Sequence, residues 1–199
     1  SGGTVDVTVS GVTSDATLNL TNVNDGTCDL ALTGVSETVT VNPNITPTFT
    51  SVSPICSGES LSALPTTSNN GITGTWAPAL DNTTTTTYTF TPAASECAVS
   101  TTLTITVNPL PTAATIASNS PVCSGDAAVF TISGDAGDTV TYSGASSGTA
   151  TIGSGGTVDV TVSGVTSDAT LNLTNVNDGT CDLALTGVSE TVTVNPNIT

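Results

Sequence analysis

The chain has 199 residues, sixteen Asp and Glu, and no Lys, Arg or His, for a formal net charge of −16. Without cations it cannot release counterions from a nucleic-acid backbone or hold an anionic leaflet through a polybasic patch. Without His it cannot supply the base of a Ser-His-Asp or Cys-His site, nor a Cys/His zinc cluster.

Lysine isopeptide cross-links are impossible for the same reason. Aromatic residues are 3 % of the chain, and high charge with few aromatics can mark disorder. The apolar residues alternate, however, and β-branched residues abound, which suits a pleated, half-buried surface. No run approaches the roughly 18 apolar residues of a membrane span. No secretory leader is visible, as expected for a window taken from within a longer protein.

Residues 1–46 recur letter for letter as Ser154 to Thr199, an offset of 153. Such self-similarity is settled before anything else, because it dictates the architecture. It predicts a tandem array with a 153-residue period, of which one copy runs from Pro47 to Thr199. The seams are Val41-Asn42-Pro43, Val107-Asn108-Pro109 and Val194-Asn195-Pro196, each closing an alternating run such as Leu103-Thr104-Ile105-Thr106-Val107. Proline fixes φ and biases its predecessor to extended geometry, so these joints read as short, semi-rigid linkers. The expected domains are 1–46, the C-terminal part of a long unit, then a short unit over 47–108 and a long unit over 109–199.

In the short unit the candidate strands are Thr48–Val52, Ser60–Leu64, Gly74–Ala77, Thr86–Thr91 and Ala98–Val107. In the long unit they are Ala113–Ala117, Ala127–Ser133, Thr139–Ser143, Thr149–Ile152, Thr157–Val162, Ala169–Thr174, Asp182–Thr186 and Glu190–Val194. Turn clusters such as Gly153-Ser154-Gly155-Gly156 and Asn177-Asp178-Gly179 separate them. Short strands at this spacing, with no helical period, predict an all-β chain of antiparallel β-sandwiches.

Pro54-Ile55-Cys56-Ser57-Gly58-Glu59 matches Pro121-Val122-Cys123-Ser124-Gly125-Asp126 in type at every position. Each unit has a second cysteine ahead of its last strand, Cys97 and Cys181. The expectation is one disulfide within each unit, Cys56–Cys97 and Cys123–Cys181, with free buried thiols as the competing reading. Cys28 repeats Cys181, and its partner is expected outside the window. Bridges at this density imply an oxidising compartment. A catalytic cysteine has no neighbouring cation to lower its pKa.

Residues 1–46 alone would leave an open core and a sheet edge. Upstream sequence would complete the half-domain, or strands of another chain would do so by β-augmentation. Asn22, Asn24, Asp25 and Asp29 surround a Gly turn and recur as Asn175, Asn177, Asp178 and Asp182. Clustered side-chain oxygens suit Ca²⁺, the one cofactor the sequence suggests; the simpler reading is a hairpin turn on Asp-Gly. Paired carboxylates could run glycoside hydrolysis, but nothing places two of them in one cleft, so no enzyme activity is expected. Asn19, Asn44, Asn82, Asn172 and Asn197 head Asn-x-Thr triplets, which arise readily by chance in a Thr-rich chain.

Trp76 lies between Cys56 and Cys97, an order similar to the Cys-Trp-Cys of immunoglobulin domains, and is expected to pack against a disulfide. Together, the Val-Asn-Pro seams, the Cys-Ser-Gly-Glu/Asp openings and the Thr-rich closing strands resemble the tandem Ig-like repeats of giant Bacteroidetes surface proteins. The resemblance covers both units. It implies an extracellular, cell-surface location, export by the type IX system, and a role as adhesin or filament. Asp138-Thr139-Val140 looks like the O-glycosylation motif of that phylum, which makes Thr139 a candidate glycan site. The expected partners are copies of the chain itself, in tandem or in a fibre. The alternative is an adhesive module with multivalent or Ca²⁺-dependent contacts to surface or glycan ligands.

Overall fold

The computed structural model describes residues 4–198, and every regular element in it is a strand. In chain order these are β1 (Ala16–Asn24), β2 (Asp29–Val39), β3 (Ile55–Cys56), β4 (Gly74–Ala77), β5 (Thr86–Pro92), β6 (Thr101–Ile105), β7 (Val107–Asn108) and β8 (Thr115–Ser118). They continue as β9 (Val122–Cys123), β10 (Ala128–Ser133), β11 (Thr139–Gly144), β12 (Gly148–Thr151), β13 (Thr157–Val162), β14 (Ala169–Asn177), β15 (Asp182–Val192) and β16 (Val194–Asn195). The largest sheet has four strands, β12-β11-β14-β15; β13-β10-β8 and β4-β5-β6 have three each. The hairpin β1-β2 stands as a sheet of its own, and β3-β7 and β9-β16 are short parallel pairs. The chain is all-β and built from antiparallel sheets in the manner of a sandwich.

Two compact units can be distinguished. One comprises Ser1–Phe49, Pro65–Trp76 and Phe90–Thr101; the other comprises Thr50–Leu64, Ala77–Thr89 and Thr102–Thr199. In the first, Phe49, Trp76 and Phe90 pack with ring centroids 4.7 to 5.1 Å apart, and the indole N–H donates to the Pro65 carbonyl at 2.8 Å. Centroid distances in this range are favourable for tilted aromatic pairs. Trp76, expected against a disulfide, thus packs on two phenylalanine rings.

The second unit holds the main core. Period-2 alternation turns Ala128, Phe130 and Ile132 of β10 inward, and Leu171, Leu173 and Val176 of β14 meet them with Val140, Ile152 and Val192. The outward positions are Thr-rich, and Thr170 and Thr191 exchange a 2.8 Å hydroxyl contact across the ladder. Tyr88 is fully buried, and its hydroxyl accepts from Asp81 N–H at 2.9 Å and donates to Asp81 C=O. A tyrosine tied to backbone a few residues upstream is a feature of immunoglobulin-like sandwiches.

Three sequence expectations change. Thr48–Val52 lies outside every strand, because its backbone turns to the loop beside it: Thr48 N–H donates to Asn70 Oδ1 and its C=O accepts from Asn69 N–H. Ser60–Leu64 is also outside the strands; it runs into Pro65, which has no N–H to offer a ladder. The runs 182–186 and 190–194 belong largely to one strand, β15. The β14–β15 register shifts between Leu173 and Asn175, and Gly187 at φ +73° on the facing strand absorbs the bulge.

Candidate functional site

The features that set this chain apart are its cysteine corners. In the first, β3 pairs in parallel with β7, placing Cys56 in register with Asn108. Cys56 N–H donates to the Glu59 carboxylate at 2.8 Å, Ser57 N–H to the Asn108 carbonyl at 2.9 Å, and Glu59 N–H back to the Cys56 carbonyl. The second corner repeats each bond. Cys123 is in register with Asn195, its N–H donates to Asp126, and Ser124 N–H donates to the Asn195 carbonyl at 2.9 Å. Gly58 and Gly125 take φ of 87° and 98°, a conformation open to glycine at no steric cost, which is why both turns read Cys-Ser-Gly.

Cys181 ends the turn of the β14–β15 hairpin. Asp178 Oδ1 accepts from Thr180 N–H and Cys181 N–H, both at 2.7 Å, and Asn177 Oδ1 accepts from Gly179 N–H. The Cys181 and Thr180 amides hold the Asp178 carboxyl below the usual range. Asp25 serves Thr27 and Cys28 in the same way and is lowered by the same causes.

The disulfide expectation is corrected at this point: the structure joins Cys56 to Cys181, with Cα atoms 5.8 Å apart and 125 residues between them in sequence. Cys28, Cys97 and Cys123 are exposed thiols. A bridge needs Cα atoms within about 7 Å. Cys181 precedes β15 and Cys123 sits beside Asn195 beyond its end; eleven strand residues at about 3.3 Å each hold them roughly 35 Å apart. The Cys123–Cys181 pairing is therefore impossible within this fold. Cys56 is likewise registered on Asn108, in β7 beyond the end of β6, whereas Cys97 comes before β6. The signal that carries the right geometry is the Ile/Val-Cys dipeptide, a two-residue strand that pairs with the Val-Asn of each seam.

Around the bridge lies an open cleft lined by Ser57, Glu59, Leu110, Thr180 and Asp182. The oxygens considered for Ca²⁺ do gather at the hairpin turns. Besides the amide contacts above, Asn177 donates to Asp182 at 3.0 Å and Asn24 donates to Asp29, while Asn22 and Asn175 sit in register with Ala31 and Ala184. Among the described residues no group of three or more His, Cys, Asp or Glu is arranged to hold a metal ion. Thr139 lies half-buried in β11 between β12 and β14, its hydroxyl 3.4 Å from that of Thr151. Asn82, Asn172 and Asn197 donate their amide nitrogens to the carbonyls of Glu59, Ser143 and Ser124. Among the described residues no helix is long and apolar enough to cross a membrane.

Residues 111–196, less than half the chain, match the family described as Ig-like domain, CHU_C associated. This segment contains β8 to β16 and so both sheets of the main core. No curated protein matches the chain.

Proposed function

We propose that the chain is a structural segment of an extracellular filament or surface stalk, in which short and long Ig-like units alternate at a 153-residue period and disulfides stiffen the shaft. On this reading the units are 47–108 and 109–199, and 1–46 closes the long unit of the preceding period. The observation that carries it is the pair of identical hairpins. β1–β2 and β14–β15 share every register pair at the same offset, down to the same bulge.

Their surroundings differ. Leu18, Leu20 and Val23 are 43, 50 and 55 % exposed, whereas their copies Leu171, Leu173 and Val176 are at most 2 % exposed. In the covered copy the sheet β13-β10-β8 packs over the core while β11 and β12 extend the hairpin's own sheet, and β8 and β10–β12 of these are drawn from residues 115–151. A repeat supplying the same strands upstream would bury the bare hairpin in the same way. Electron cryo-microscopy of the native assembly tests the reading. Two sandwiches per period should advance roughly 60–90 Å, from strands of six to ten residues at about 3.3 Å each plus linkers. Discrete globular particles with no axial period would refute it.

A further inference from the structure

We propose that Cys123 and Cys97 form a disulfide across successive repeats, Cys123 of one copy bonding Cys97 of the next. This rests on the repeat reading above and goes beyond it, because it assigns a covalent partner to each remaining thiol.

The argument begins with two kinds of cysteine. Cys56 and Cys123 occupy corners with the same hydrogen bonds and the same parallel pairing to a seam asparagine. Cys28 and Cys181 occupy hairpin turns identical in sequence and in bonding. Cys97 belongs with the latter, as the cysteine ahead of the last long strand of its unit, β6. The observed bond joins a corner cysteine to a hairpin cysteine, and it passes over Cys97 and Cys123 to reach Cys181, 125 residues on.

The same rule applied to the second corner gives one answer. The next cysteine of the hairpin kind after Cys181 is the Cys97 of the following period. Cys97 lies 26 residues before Cys123, so its next copy, 153 residues further, lies 127 beyond Cys123. The two closed loops are thus almost equal, 125 and 127 residues. Cys28, the twin of the bonded Cys181, takes the Cys56 of the preceding copy. Every cysteine of the period is then used once. The three thiols concerned are exposed, so a partner and an oxidant can reach them.

The chemistry is thiol–disulfide exchange with a small-molecule or protein disulfide as oxidant. The Cys123 thiolate attacks the oxidant's disulfide and expels one thiol. The Cys97 thiolate then attacks the Cys123 sulfur of the mixed disulfide and expels the second. The pair loses two protons and two electrons, and the oxidant leaves as two thiols.

The test uses this chain and the same chain lengthened by one 153-residue period, each refolded in a glutathione redox buffer, alkylated, and digested at acidic residues. The lengthened chain has nine cysteines, the five here plus the four of an added period. Three alkylated cysteines are expected, with a peptide linking Cys123 to the added Cys97; Cys123→Ser should raise the count to four. Five alkylated cysteines, with only the Cys56–Cys181 type of bond formed, would overturn the proposal. A count of one would also overturn it, since it means pairing within each unit. A periodic native fibre in which Cys123 stays free would defeat this bond and leave the filament reading standing.

Discussion

Asp81 shows how a chain without cations settles its carboxylates. Its two oxygens accept from Thr83 N–H, the Thr83 hydroxyl and the Thr84 hydroxyl, and these donors lower its pKa from 3.8 to about 2. A lowered carboxylate pKa adds stability that is complete above the unfolded value and is lost as pH falls through the folded one. Carboxyl NMR titration should therefore place the Asp81 midpoint near 2. Asp138 has the opposite sign: it is buried, and desolvation, followed by the charges of Asp135 and Asp178, raises its pKa. The folded state then holds the Asp138 proton more tightly, and stability falls as pH rises above 3.8 through the raised value. Asp138→Asn should raise the melting temperature at pH 7, and the gain should vanish below pH 3.8, where the carboxyl is protonated in both states. The Thr-capped turn is readable from Asp81-Asn82-Thr83-Thr84, but the burial of Asp138 is not, because tertiary packing decides it.

At the scale of elements, the repeat is an internal control on what local sequence determines. Thr157–Val162 forms β13 by pairing with β10, whereas the identical residues 4–9 form no strand. The hairpins, by contrast, form in both copies with one register. A hairpin carries its partner in the adjacent sequence, and Asp-Gly closes it; β13 needs a partner from elsewhere in the chain. Thus β4, β5, β10, β11, β13 and β14 are legible in alternating sequence, and the two-residue parallel strands β3 and β9 are not, since nothing so short has a period. Leu171→Ala, deep in the core, should cost about 2–5 kcal/mol in urea unfolding. The same change at the copy, Leu18→Ala, should cost under about 1 kcal/mol in this chain, because that side chain is 43 % exposed.

For the whole molecule, the disulfide reverses the expectation of a separate staple in each unit. Repeat logic identifies which residues correspond but not which of them meet. The correct partner depends on which end of a long strand each cysteine occupies, and β15 alone separates its ends by eleven residues. In the chain-entropy account, closing a 100-residue loop is worth about 4.7 kcal/mol, and the loop here spans 125 residues. Cys56→Ser should therefore lower the unfolding free energy by about 5 kcal/mol, and dithiothreitol should lower it no further in that variant. An unchanged urea midpoint would show that the bond does not hold the fold.

The separation of Cys56 and Cys181 also imposes an order in time. Synthesis at about 5–20 residues per second exposes Cys56 for roughly 6–25 s before Cys181 exists. Cys97 and Cys123 appear in that interval, so in an oxidising compartment pairing in order of appearance would join Cys56 to Cys97 first, a bond the fold does not hold. The native link goes to the third candidate. Reaching the native bond would then require each premature bond to be undone, a reshuffling that takes seconds to hours depending on the isomerase at hand.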